Sequence, residues 1–594
     1  MRPVGDQEFR YSPYKDSTRD VEALRNQIEI ARGLRPADIL LQGGKIVNVL
    51  SGEIYGANIA ISNGRIVGVG DYYHEGVIIH NVRGLYLIPG LIDAHVHLES
   101  SMLSPPEYAR AVLPHGTTTI ICDPHEIANV MGMEGIRYIL EASRDIPLNL
   151  FITASSCVPS THLETSGASF STKEIGELLR WERVVGLAEM MNVPGVLNGK
   201  ISELSKIVES RRMGRPIDGH SPSLSGRDLN AYIGAGIRTD HESSTMEEAL
   251  EKLRLGMYLM IREGSAARDM DKLIPVITPK NYHRCMFVSD DRHPRDLLEE
   301  GHMDYILRKG IQLGMDPILA LSMATINPAR AFMLEDIGAI APGYYADIVA
   351  VEDLEAFKIH TVFKNGKIVV TEGEIAIDIP RSREDSFSRK TMRVADLSPE
   401  RFKIKISGNK IRVMELVPGQ IYTRHVIEEV HSEDGEVKAD ISKDLLKIAV
   451  IERHRATGNI GLGFVRGFGL KYGAIASSVA HDSHNIIVIG TNDTDMYIAA
   501  LMIIEMGGGH VVVSRGEVLG TLQLPIAGLL SDRPLEEIVV QEEKLLEVVR
   551  GLGVKPTSPF IKLSFLALPV IPELKITDKG LVDVNRLEIV DIEP

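Results

Sequence analysis

His95 and His97, two residues apart in GLIDAHVHLES, form the densest chemical signal in the chain. Alternate side chains of a strand share a face, so both imidazoles can reach one ion. Glu189 ends the apolar run RVVGLAE, His220 ends PIDGH, His241 ends GIRTDH and Asp290 ends CMFVSD. Taken singly, each has an ordinary role. An HxH pair is at least as often two core or surface histidines, and a carboxylate after a strand is usually a helix cap or an ion-pair partner. Together they form a mixed nitrogen and oxygen donor set suited to Zn, Mn or Fe.

Such a set works only if the fold brings these strand ends together. Between residues 91 and 337, short apolar runs alternate with longer amphipathic stretches. Candidate strands end near His97, Cys122, Ser156, Glu189, His220, His241, Arg262 and Asp290. Eight strands, each followed by a helical pattern, are what a (β/α)8 barrel requires, and catalytic groups of that fold collect at the C-terminal rim. Runs such as TTTIIC and VVGLA are continuously apolar, as strands buried on both faces should be. In IANVMGMEGIRYILEASRD, Ile136, Ile139, Leu140 and Ser143 share one face at helical spacing.

Residues 36–90 and 338–384 are β-rich, punctuated by Gly and Asn, and are expected to pair into one small β-sandwich with the barrel inserted between them. Residues 1–35 read as a lead-in with a helix around VEALRNQIEIARG. The charged stretch PRSREDSFSRK reads as a linker, and 391–594 is long enough for a C-terminal α+β domain. The fold class is therefore α/β.

A net charge of −16 disfavours a nucleic-acid partner, which needs a concentrated basic surface. Three cysteines without a CxxC pair indicate a reducing compartment, and no apolar leader or membrane-length run is seen, so a cytoplasmic location is expected. The glycines at 507–509 lack the Lys-Ser/Thr of a phosphate loop, and the HxE…PCxxC signature of cytidine-type deaminases is missing.

The order HxH, acidic bridge, His, His, Asp resembles the amidohydrolase superfamily. Many members carry a carboxylated lysine where this chain has Glu189. The longer motifs DAHVHLESSML, GTTTIICDPHEIANVMG, GLAEMMNVPGV, DGHSPSLSG, DHESS, LMIREGSAARD and FVSDDRHP, with HDSHNI near the C-terminus, resemble those of bacterial and archaeal adenine deaminases, with no departure at the ligand positions.

That resemblance implies hydrolysis of adenine to hypoxanthine and ammonia by metal-activated water. One ion is expected on His95, His97, Glu189 and Asp290, and a second on His220, His241 and the shared Glu189. Manganese is favoured, with Fe2+ or Zn2+ also suited. Glu242 is the first candidate for a proton shuttle, with Asp290 and Asp291 as competitors. His125 is a further catalytic candidate. Glu99, Ser101, Asp123, His481, Asp482 and His484 are candidate substrate contacts. Asp123 has an ordinary alternative as the cap of a helix starting near Pro124. Glu242 has one as a structural ion pair, and the HDSHN segment as a hydrogen-bonded turn. A homo-oligomer is expected. The competing readings are another amidohydrolase-type reaction, such as cyclic amide opening, and a non-catalytic barrel scaffold.

Overall fold

The computed structural model describes residues 21–594 apart from 266, 382–386 and 419. The first twenty residues of the expected lead-in, and residues 382–386 of the expected linker, lie outside the described residues. The lead-in helix is formed over Val21–Ala31.

The middle of the chain contains eight short strands: β1 (Leu91–Val96), β2 (Thr117–Cys122), β3 (Asn149–Ala154), β4 (Val184–Met190), β5 (Ile217–Gly219), β6 (Thr239–Asp240), β7 (Tyr258–Arg262) and β8 (Cys285–Val288). The first five pair in sequence order as one parallel sheet, and the last three as another. The two sheets approach at both seams. Arg238 N–H donates to Ile217 O across β5 and β6 at 3.2 Å. At the other seam, Asp290 N–H donates to His95 O at 3.0 Å and His97 N–H to Asp290 O at 3.2 Å. The parallel sheet is therefore curled, and the ends of β8 and β1 lie side by side. β2, β3 and β4 are buried along their whole length, matching their apolar sequence.

Connecting helices begin where the sequence satisfies their first amide groups. Ser171 and Glu174 form a reciprocal capping box on Thr172–Leu178, and Thr245 accepts the Glu248 N–H at the start of Met246–Arg254. The amphipathic stretch after β2 differs from its expected single helix. Gly132, at φ +64°, divides it into His125–Met131 and Met133–Ala142, because the backbone there takes a sign that glycine accepts without strain. Ile136, Ile139 and Leu140 are buried on the second helix, as their spacing predicts, and Ser143 is buried at its end.

The two flanking β segments join in one nine-stranded sheet. Tyr86–Pro89 from the first pairs antiparallel with Ile348–Val351 from the second. Beyond residue 400 an eight-stranded sheet, mostly antiparallel, packs against the helix Asp493–Glu505. This C-terminal part is tied to the curled sheet. Ser104 N–H donates to Ser531 O (2.8 Å), Ser531 N–H to Met102 O (2.7 Å), and Thr577 Oγ1 to Leu163 O (2.6 Å). Among the described residues, no helix is long and apolar enough to cross a membrane.

Candidate metal centre

The C-terminal ends of β1, β4, β5, β6 and β8 converge on one buried cluster. His95 Nδ1 lies 2.9 Å from Asp218 Oδ2 on β5, and His97 Nδ1 lies 3.1 Å from Asp123 O. A carbonyl can only accept, so His97 Nδ1 carries a proton, and Nε2 is the nitrogen that faces the cluster. The Asp218 carboxylate fixes His95 in the same tautomer. His95 Nε2 is buried without a hydrogen-bond partner among the described residues. It points toward Asp290 Oδ1 at 3.6 Å, and His97 Nε2 is 3.3 Å from the same oxygen.

Glu189 links this pair to the other two histidines. Its Oε1 is 3.6 Å from His97 Nε2, and its Oε2 is 2.7 Å from His220 Nδ1 and 3.3 Å from His241 Nε2. The His95 and His241 rings stack with centroids 4.0 Å apart. Two donor sets, His95–His97–Asp290 and Glu189–His220–His241, each have their ligand atoms within 4.8 Å of one another. That is the size and chemistry of a divalent-ion site. A third such set, His97, Asp123, His125 and Glu189, overlaps them.

The electrostatics fit a cation. Burial raises the proton affinity of Asp290, but its contacts with His95 and His97 hold it well below the usual carboxylate range. Burial acts on Glu189 in the same way, and His220 and His241 bring it well below that range. Conversely, burial depresses His95, and Asp218 with Asp290 lifts it well above an ordinary imidazole. Buried carboxylates of this kind need positive charge beside them, from protonated imidazoles or from bound divalent ions. Asp290 sits at φ +57°, held in the left-handed region by its two backbone bonds to β1.

The remaining expected residues occupy the rim around this cluster. Glu242 Oε1 is 3.5 Å from His241 Nε2 and 3.8 Å from His220 Nδ1, and it is also ion-paired to Arg262. Arg262 reaches Asp290 Oδ2 as well, at 3.4 Å. Asp291 accepts the Ser100 hydroxyl at 2.5 Å. His125 Nδ1 stands 3.4 Å from Asp123 Oδ2 and 3.7 Å from Glu189 Oε1, and its Nε2 is 4.0 Å from Asp482 Oδ1. Glu99 Oε1 accepts the Ile127 N–H at 3.0 Å, leaving Oε2 buried without a partner.

Asp123 and Ser101 are tied into the surrounding loops. Asp123 does not cap the helix that starts at His125. The residue at the cap position is Pro124, and Asp123 turns inward to accept the Ser155 hydroxyl at 3.0 Å. Ser101 is buried beside Glu99, but its hydroxyl is engaged in its own turn, donating to Leu98 O at 2.6 Å.

The HDSHN segment reaches the rim from the C-terminal part. His481 Nδ1 is 3.3 Å and His484 Nε2 3.7 Å from the carboxylate of Glu126. Sequence reasoning did not assign Asp218 or Glu126. Asp218 had a legible signal, since it precedes His220 by two residues and so faces the same way on β5. Glu126 stands out in sequence only as one of three polar residues with Asp123 and His125 after β2, because its partners lie more than 350 residues away in the chain.

The sequence matches two family models. The amidohydrolase family covers residues 86–369, and the adenine deaminase C-terminal domain covers residues 420–588. An adenine deaminase of Dehalococcoides mccartyi is 48% identical over 570 residues, spanning 96% of this chain and 99% of that protein. One from Desulfatibacillum aliphaticivorans is 48% identical over 95% of this chain and 99% of its own. Adenine deaminase 2 of Carboxydothermus hydrogenoformans is 47% identical over 96% of this chain and all of its own length.

Proposed function

The chain belongs to the adenine deaminase family of amidohydrolases, and from that premise we propose how its own residues hydrolyse adenine to hypoxanthine and ammonia. The observation that carries the reading is Glu189, one carboxylate standing between two pairs of histidines at the rim of a curled parallel sheet. We read that sheet as a (β/α)8 barrel over 91–337, inserted in a small sandwich of 36–90 and 338–384, with 391–594 as a separate C-terminal domain.

In this reading His95, His97 and Asp290 would hold one divalent ion and His220 and His241 a second, with Glu189 shared between the two sets. Ions bound there supply a nucleophile from water at neutral pH by lowering its pKa to about 7. Manganese is the favoured metal, and the donors also suit Fe2+ and Zn2+. Asp218 fixes the tautomer of His95 so that Nε2 remains a ligand.

Attack at C6 of adenine also requires a proton on ring N1 and another on the departing N6. Glu242 is our assigned shuttle. It touches both His220 and His241, and Arg262 orients it from the other side. Asp290, lying against His95 and His97, accepts the proton that the attacking water loses. Asp291 and His125 stand at the next remove as relays to solvent. Glu99 and Asp482 each keep a buried oxygen without a partner among the described residues, and they serve as acceptors for purine N–H groups. Asp123 and Ser101 hold the loops in shape, and His481 and His484 close the C-terminal side of the pocket. Three free, buried cysteines support a reducing, cytoplasmic setting, and a homo-oligomer is part of the same reading.

The test is ammonia release together with the ultraviolet change from adenine to hypoxanthine, using manganese-loaded protein. Adenosine, cytosine, guanine and dihydroorotate are run in parallel. Turnover of adenine alone, abolished by His95→Ala, is the expected result. Full metal loading with turnover of dihydroorotate instead would replace deamination by cyclic amide opening. Full loading with no turnover at all would leave a binding scaffold.

A further inference from the structure

A cavity adjoins the metal cluster on the side of the C-terminal part. Four carboxylates line it, those of Glu99, Glu126, Asp291 and Glu542, together with His481 and His510. It abuts the reacting centre, because Glu99 senses the charge of His97 and His125, and Asp291 directly follows Asp290. Glu542 and His510 come instead from the helix Leu535–Gly551 and the strand Gly509–Ser514.

Three atoms in its wall, Glu99 Oε2, His293 Nδ1 and His510 Nε2, are buried with no hydrogen-bond partner among the described residues. The state of His510 follows from its neighbours. Ser477 Oγ accepts the Val479 N–H at 2.8 Å and donates to Val479 O at 3.1 Å, so toward His510 Nδ1 at 3.0 Å it can only accept. Nδ1 therefore carries the hydrogen. Burial pushes this imidazole down to about 3, so it is neutral and Nε2 is a bare acceptor. Phe560 stacks on the same ring at 4.2 Å. Among the described lining residues there is no lysine or arginine. A pocket with acidic walls and unfilled acceptors calls for a small cation that brings N–H donors.

We propose that this cavity binds ammonium and is the station through which the leaving group departs. The inference rests on the adenine deaminase reading above. When the C6–N6 bond breaks, N6 has already taken one proton and leaves as neutral ammonia. A further proton from solvent converts it to ammonium, and nothing is oxidised or reduced. Potassium matches the charge but offers no hydrogen to His510 Nε2.

The experiment measures initial rates of adenine loss with the full-length, manganese-loaded enzyme. Ammonium chloride is varied at fixed pH, with tetramethylammonium chloride holding the ionic strength and potassium chloride as a parallel series. Ammonium should depress kcat without competing with adenine, and potassium should not. Glu542→Gln and His510→Phe should each raise the ammonium inhibition constant roughly tenfold, the first by removing a negative charge and the second by removing an acceptor. Glu543→Gln, at the neighbouring position of the Glu542 helix, where the carboxylate pairs with Arg295, should leave it unchanged. If Glu542→Gln does not fold, the His510→Phe comparison decides alone. Equal inhibition of all variants, or potassium acting as strongly as ammonium, overturns the proposal. Absence of adenine turnover in the metal-loaded parent would overturn the reaction itself, which is a separate result.

Discussion

A histidine becomes a metal ligand only when its other nitrogen is committed elsewhere, and at this site that commitment is made by residues outside the donor set. Asp218 Oδ2 takes the His95 Nδ1–H while its Oδ1 accepts the Thr239 hydroxyl and the Gly219 N–H, so the carboxylate is itself fixed. Replacing Asp218 by Asn should leave the fold intact and weaken metal binding roughly 10- to 100-fold. Competition against a chelator measures this, and unchanged affinity would remove Asp218 from its positioning role. Glu189→Gln tests the bridge. A neutral amide cannot offset two cations, so the bound metal should fall from two ions to one per chain, with loss of turnover. Metal analysis of the purified variant reads this directly. The HxH pair was legible because strand alternation is local. The bond from His95 to Asp218 was not, since it spans 123 residues and depends on how β1 and β5 face each other across the curled sheet.

Strands were the most legible elements. Runs buried on both faces are continuously apolar, and each ended within a few residues of its expected end. Loops were less legible because their side chains choose partners by proximity. Asp123 has the sequence signature of a cap, yet it turns to Ser155, and Gly132 splits a helix that side-chain periodicity alone predicts as continuous. The Ala480–Asn485 loop is the clearest instance. It is held at the rim by Arg453, a fully buried guanidinium whose partners are the carbonyls of His484 and Ala527 and the Thr391 hydroxyl. Burial pushes this arginine down to about 9, so its ordering is costly. Arg453→Leu would leave those carbonyls buried and unpaired, at roughly 1–3 kcal/mol each. The expected outcome is a lower melting temperature and a reduced kcat/KM for adenine, with metal content preserved. A variant with full activity would mean that the loop holds its place without Arg453.

At the scale of the whole molecule, the C-terminal part and the curled sheet share a buried polar seam, and its charge ties stability to pH. Thr165 N–H donates to Asp578 Oδ1 at 2.8 Å, Asn485 Nδ2 donates to Thr165 O at 2.8 Å, and between them Glu164 accepts the Ser160 hydroxyl at 2.7 Å. Burial, reinforced by the nearby Asp482, pushes the Glu164 carboxyl up to about 7 from an ordinary 4.5. A carboxyl whose proton affinity is raised by folding favours the folded state while it is protonated. Its contribution is therefore complete below the unfolded value of 4.5, shrinks as pH climbs toward 7, and is spent above that. Summed over that window, the loss is on the order of 3 kcal/mol. Other buried groups move the total curve in their own directions. Lys575, pushed down to about 7 by burial, penalises folding increasingly as pH falls from its ordinary 10.5. The difference between two chains isolates Glu164. Glu164→Gln keeps an acceptor for Ser160 but cannot ionise. Its denaturation midpoint relative to the parent should rise between pH 4.5 and 7 and then level off. Parallel curves for the two chains across that range would mean that Glu164 titrates alike in the folded and unfolded states, and that burial in the seam does not raise its proton affinity.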